Sequence, residues 1–258
     1  MRENPVRRLL EAGKPALGAS ISSASPLAAE TMGHLGFDWV MIDLQHGENN
    51  LGNLSQMLTA VSATPAVPWV RVVSNDGPMI QRALDLGAFG IVVPLINNAA
   101  EAAAAVRATR YPPEGDRSWG PIRGALYGGA GYYPEFENQV TVVAMIETAD
   151  GIKNADEIFA VDGISGCLIG TNDFSLSLGL PPRPVPDNTP MDRRVEEAAQ
   201  WVLEACRKHG KAPGLFTTDA EMAAQRVKQG FQIITVANDI GSVRAAAPAA
   251  LRTVRAAG

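Results

Sequence analysis

The chain predicts a (β/α)8 TIM barrel occupying residues 1–258 as a single domain. Three observations carry that expectation. Eight short apolar runs alternate with helical patterns along the sequence. The runs are continuously apolar, as strands buried on both faces are. The glycine-rich dinucleotide turn that follows the first strand of an open doubly wound sheet is absent, and no linker or repeat divides the chain.

The elements follow in order. The first run is Ala16–Ile21, and Ser25 with Pro26 starts a helix as N-cap and first-turn proline. Trp39–Ile42 precedes a helix over Leu51–Val61, and Trp69–Val72 precedes one over Pro78–Leu86. Gly90–Pro94 leads to an alanine-rich helix, Ala99–Arg110. Thr141–Ile146 and Gly166–Asn172 are the fifth and sixth runs, with a short helix near Ile152–Phe159 between them. A long helix covers Met191–His209, then comes Ala212–Phe216, then a helix over Asp219–Gln229 that Gly230 stops. Ile233–Ala237 is the eighth run, and Gly241–Ala256 the last helix. Two connections are long for a barrel, Tyr111–Asn138 and the proline-rich Thr171–Pro190. The second leaves the C-terminal end of a strand, the rim where barrel enzymes build their sites. The first starts on the opposite rim, and either wraps the barrel or meets a neighbouring subunit.

Composition excludes several functions. The 258 residues carry a net charge of −5 with no basic block, which argues against nucleic acid as partner. The longest apolar stretches have strand length, too short for a bilayer, and the N-terminus has no signal-type apolar region. Cys167 and Cys206 lack metal-ligand spacing and read as reduced thiols, which fits a cytoplasmic protein.

Glu147 and Asp173 each close an apolar run. Neighbouring parallel strands would bring them within roughly 5 Å. Carboxylates that close repel unless a proton or cation lies between them, and a hard divalent ion with oxygen ligands satisfies both. Other polar residues gather at the same rim: Asp43, His46 and Glu48 after the second strand, and Arg71 at the end of the third. A divalent cation there can bind a 2-oxo acid and stabilise its enolate. Arg71 suits the same oxyanion, and the imidazole of His46 is the side-chain type best suited to a general base, with Asp43 the nearest orienting acid. Asp85 ends the third helix, on the far rim, and so reaches such a site only from a neighbouring subunit. Each residue also has a structural reading. Strand-end carboxylates cap helices or pair with arginine, His46 can be a loop residue, Arg71 an ion-pair partner and Asp85 a helix-end residue. Arg117, Trp119 and Arg123 read as loop anchors.

The motifs Phe37–Asp43 with His46, Pro68–Arg71, Leu84–Ala88, Val93-Pro94, Arg110–Gly115 with Arg117, Ile146–Thr148, Ile169-Gly170 with Asn172–Ser175, and Gly210–Gly214 span nearly the whole chain. Together they resemble the HpcH/HpaI family of metal-dependent (class II) pyruvate aldolases. The resemblance implies a barrel enzyme that adds a pyruvate or hydroxypyruvate enolate to an aldehyde, or cleaves the product. It implies Mg²⁺, Mn²⁺ or Co²⁺ on Glu147 and Asp173, substrate contacts from Arg71, Asn172 and Asp173, and His46 as base supported by Asp43 and Asp85. It also implies a hexamer with the last helix on a neighbouring subunit, and Val243, Ala247, Leu251 and Val254 share one side of that helix. The chain departs from the family pattern at Met145, where glutamine is frequent, at Thr171-Asn172 in place of Pro-Ala, and at Ser118-Trp119 in the arginine loop. Rival readings are a citrate lyase β-type enzyme acting on a CoA thioester, for which the 171–190 loop offers only Arg183, and a non-catalytic barrel that binds a 2-oxo acid. A Schiff-base aldolase is disfavoured, since Lys14, Lys153, Lys208, Lys211 and Lys228 all lie away from strand C-terminal ends.

Overall fold

A barrel closes only if eight strands tilt together and their inward side chains fill the lumen. In this computed structural model, which describes residues 1–182, 191–217 and 219–256, the strands do close, each parallel to its neighbours. They are β1 Ala16–Ile21, β2 Trp39–Asp43, β3 Val67–Arg71, β4 Gly90–Val93, β5 Thr141–Ile146, β6 Gly166–Ile169, β7 Gly214–Phe216 and β8 Ile233–Asn238. Around them run α1 Pro5–Glu11, α2 Pro26–His34, α3 Leu54–Ser62, α4 Gly77–Asp85, α5 Ala99–Thr109, α6 Ile122–Gly128, α7 Tyr132–Glu135, α8 Ala149–Lys153, α9 Ala155–Phe159, α10 Thr171–Ser177, α11 Arg193–Lys208, α12 Ala220–Gln229 and α13 Asp239–Arg255.

The eight expected strands all form, with ends shifted by a few residues. Two expectations change. The sixth strand stops at Ile169, and Thr171–Ser177 continues as α10, so part of the expected 171–190 loop is helical and Asp173 sits in a helix's first turn. The single helix near Ile152–Phe159 is two, α8 and α9. Arg183 and the prolines at 184, 186 and 190 lie outside the described residues.

The segment from Tyr111 to Asn138 wraps the N-terminal rim. Arg123 ties it to three places, donating to the Leu86 carbonyl at 2.5 Å, to Thr59 Oγ1 at 2.9 Å and to Ser62 Oγ at 3.0 Å. Arg117 is buried there, with its charge met by Asp85 at 2.8 Å and its face against the Tyr111 and Phe136 rings. Three further helices stand where the sequence analysis expects none, α6 and α7 within this segment and α1 at the start of the chain. Asn4 caps α1 by accepting from the amides of Val6 and Arg7, while its Nδ2 donates to the Gln139 carbonyl at 2.7 Å. Val6, Leu9 and Leu10 thereby plug the lower mouth of the barrel. The Asn-Pro start is the sequence signal for that cap.

The lumen is filled by a stacked pair, Trp39 of β2 and Trp69 of β3, with ring centroids 4.5 Å apart. Glycines opposite make the room. A Cβ on Gly18 of β1 would overlap the Trp39 ring, and one on Gly90 of β4 the Trp69 ring. Met41, Val143, Met145 and Leu168 belong to the same inner cluster. Gly18→Ala or Gly90→Ala should therefore lower stability by about 1–3 kcal/mol or more, as overpacking does. Urea unfolding measures it, and Trp39→Leu in the Gly18→Ala background should recover part of the loss.

Candidate active site

Above the tryptophans the strand ends turn polar. The register of β2 on β3 places Asp43 beside Arg71. Their side chains then meet in a two-pronged ion pair, Nε to Oδ1 at 2.9 Å and Nη2 to Oδ2 at 2.5 Å, and both residues are buried. Burial pushes the Asp43 carboxyl up, but the hydrogen bonds and charge of Arg71, with the amides of Gln45 and His46, outweigh it and hold the pKa low. One edge of the guanidinium is thus spent. On the other, Nη1 has a 3.9 Å contact with Met145 Sδ and otherwise belongs to the cavity that Arg71 lines.

Glu147 follows β5 directly. The β5–β6 register sets Ile146 against Ile169, so Glu147 stands beside Gly170, where any Cβ would collide with its Oε2. Its Oε1 accepts the Leu95 amide at 2.8 Å. Leu95 reaches that position with φ at 55°, a left-handed conformation that side chains other than glycine seldom adopt. Glu147 is only 2% exposed. Burial lifts its pKa to about 7, with Asp173 adding to the rise and the Leu95 amide and Arg71 opposing it.

Asp173, in the first turn of α10, is exposed and lines the same cavity, near enough for its charge to act on Glu147. Asn172 lines it too. The cavity is about 580 Å³ and also reaches His46. No lysine lines it.

Within one chain neither supporting acid touches the His46 imidazole, and Asp85 lies on the far rim as its helix end implies. Asp43 Oδ1 accepts the His46 backbone amide at 3.2 Å and Oδ2 serves Arg71, so Asp43 shapes the loop and the arginine and makes no bond to the imidazole. Asp85 lies on the opposite rim, paired with Arg117, and within one chain it does not approach His46. Other residues at the cavity went unread in the sequence: Ser20 and Ser22, Phe216 and Thr217, Thr235, and Arg244. Single hydroxyls inside apolar strands carry no motif, and Leu95's left-handed backbone has no signal at all.

Glu147 and Asp173 suit a hard divalent cation. Among the described residues no group of three or more His, Cys, Asp or Glu side chains converges, so a cation here would draw on this oxygen-only pair from the protein. The donor set fits. A buried carboxylate with a second anion beside it and one amide on one oxygen is short of positive charge, and a cation supplies it.

The model of the HpcH/HpaI aldolase/citrate lyase family matches residues 18–246. The chain belongs to that family. The chain is 37% identical over 253 residues to a hydroxypyruvate/pyruvate aldolase of Rhizorhabdus wittichii, covering 98% of this chain and 99% of that one. It is 33% identical to a 4-hydroxy-2-oxo-heptane-1,7-dioate aldolase of Escherichia coli, covering 96% and 93%. A family protein of Burkholderia cenocepacia superposes with a TM-score of 0.90 at 32% identity, covering 98% and 99%.

The raised pKa of Glu147 gives a signed prediction. Between the ordinary carboxylate value and about 7, folded Glu147 keeps a proton that the unfolded chain has lost. Stability of metal-stripped protein should thus fall as pH rises through that window, by at most about 3 kcal/mol. Urea unfolding at pH 5 and pH 8 reads the fall. Glu147→Gln should flatten it, and an unchanged slope in that variant would assign the effect elsewhere.

Proposed function

We propose that this family member is a divalent-metal-dependent aldolase, a carbon–carbon lyase. It joins the enolate of a 2-oxo acid, pyruvate or hydroxypyruvate, to an aldehyde, or cleaves the product. The observation that carries the reading is the meeting of the Glu147–Asp173 carboxylates with an arginine whose other edge is already fixed by Asp43. The named aldolases at 33–37% identity support it.

Glu147 and Asp173 would hold the cation, and Mg²⁺, Mn²⁺ or Co²⁺ would suit their oxygen donors. When bound, a divalent cation supplies Lewis acidity to a keto oxygen. Arg71 donates from Nη1 to negative charge developing on that oxygen. Because Asp43 holds the other side of the fork, the donor is aimed before substrate arrives, which keeps reorganisation small. His46, exposed at the cavity mouth, takes the C3 proton in the forming direction or the hydroxyl proton in cleavage. Asn172 and Asp173 contact the donor substrate beside α10. With no lysine on the cavity, covalent imine chemistry has no nucleophile.

We further propose a homo-oligomer, a hexamer by the family resemblance, and a cytoplasmic place of action. No helix among the described residues is long and apolar enough to cross a membrane. Val243, Leu251 and Val254 of α13 are 63%, 55% and 73% exposed, an apolar face suited to a neighbouring copy. In that assembly Asp85 of one copy supports His46 of another.

Chelation with EDTA should abolish retro-aldol activity, and Mn²⁺ or Co²⁺ should restore it. Glu147→Ala should lose metal binding by calorimetry, and wild-type affinity in that variant would refute the ligand assignment. Arg71→Ala should cut kcat by about 10²–10³, the usual loss for one oxyanion donor. If Asp85 works across subunits, mixed oligomers of Asp85→Asn and His46→Ala chains should regain activity that neither has alone; mixtures no better than their parents would confine Asp85 to its Arg117 pair.

A further inference from the structure

The mechanism above uses the β2, β3, β5 and α10 side of the cavity. The opposite side, built by β1, β7, β8 and α13, is lined with hydroxyl groups. Nearly all of them have protein partners. Thr217 donates to the Thr235 carbonyl at 2.6 Å, and Ser242 to the Asn238 carbonyl at 2.9 Å. Ser20 and Ser22 accept from Asn238 Nδ2 at 3.1 and 2.8 Å.

Thr235 differs. It is 4% exposed, and its Oγ1 is buried with no hydrogen-bond partner. It sits on β8 in register with Phe216 and with Gly18, pointing into the lumen at the cavity's base. Valine has the same shape and favours strands as well. Beside Phe216, Val236 and Ala237, and with every neighbouring hydroxyl already partnered, a stranded hydroxyl is a liability unless something in the cavity meets it. The other buried unpartnered atoms, such as Trp69 Nε1 and Asn49 Oδ1, lie outside this cavity.

We infer that Thr235 is a specificity-determining residue whose enclosed hydroxyl turns about χ1, into the cavity the residue lines, to hydrogen-bond a substrate hydroxyl, so that the enzyme favours hydroxylated substrates over their deoxy counterparts. The inference rests on the aldolase reading. Two sources supply such a hydroxyl: C3 of a hydroxypyruvate donor, or C2 of a short hydroxyaldehyde acceptor. A site built around a buried hydroxyl rejects the analogue that leaves it unpaired, whereas an apolar pocket discriminates weakly between the two.

The test pairs pyruvate or hydroxypyruvate with acetaldehyde or glycolaldehyde, with Mn²⁺ supplied, and compares kcat/KM for wild type, Thr235→Val and Thr235→Ser. Thr235→Val should lose on the order of tenfold with the hydroxylated substrate and change less than about twofold with pyruvate and acetaldehyde. Loss along the donor axis assigns the bond to hydroxypyruvate, and loss along the acceptor axis assigns it to the aldehyde. Thr235→Ser, which keeps the hydroxyl, should preserve the wild-type preference. Equal loss on all four pairs, no change on any, or a serine variant as indiscriminate as valine would overturn the inference. A wild-type chain inactive on every pair would instead bring down the aldolase reading, and this assignment with it.

Discussion

A buried carboxylate beside a second carboxylate is the constraint to which the active rim is built. Glu147 has almost no contact with water, and among the described residues the donor to its carboxylate is the Leu95 main-chain amide. That amide is delivered by Leu95 in a left-handed conformation, which costs on the order of 1 kcal/mol or more for a residue with a Cβ. Gly170 surrenders its side chain so that Oε2 has space. Neither feature improves the packing of the barrel. Both hold a carboxylate where burial and Asp173 favour its taking up a proton, and groups perturbed in that way cluster at functional sites.

The same rim contains a second buried carboxylate with the opposite fate. Asp43 is as buried as Glu147, yet it stays ionised because Arg71 grips both of its oxygens. The pair is useful less for stability than for aim, since a buried ion pair repays its desolvation only partly. A third buried rim acid, Asp239, is consumed by structure: it accepts from the amides of Ser22 and Ser23 and ties α13 to the loop after β1. Three buried carboxylates of one rim thus differ by what their oxygens meet: Glu147 a single amide, Asp43 an arginine, and Asp239 the amides of a loop.

Much of this was legible in the sequence, and the reason is the period of the elements. Barrel strands are continuous apolar runs, so their number, order and C-terminal ends can be read directly, and a carboxylate or arginine ending such a run is placed on the active rim without coordinates. Arg71, Glu147 and Asp43 were all found that way. Partnership was harder, because it depends on register and rotamer. Asp43 and His46 share a strand end, which made an acid–imidazole contact attractive, but the Asp43 oxygens turn to Arg71 and to backbone amides instead. Asp173 stands one step further out than a strand end because Thr171–Ser177 folds as a helix.

The tryptophan stack explains why the far wall was least legible of all. With Trp39 and Trp69 filling the lumen against Gly18 and Gly90, the inward residues one step higher on β1, β7 and β8 form the cavity base, and their identity is set by what enters from above. At the level of the stack a glycine is dictated by sterics and signals itself by clash. One step up, at Thr235, shape alone would accept valine as readily, so nothing in strand propensity or periodicity separates a packing residue from a recognising one. Only the count of satisfied polar atoms does, and that count needs every neighbour's position. Burial fixes the first layer of this barrel and chemistry the second, and a single sequence reports the first far more clearly.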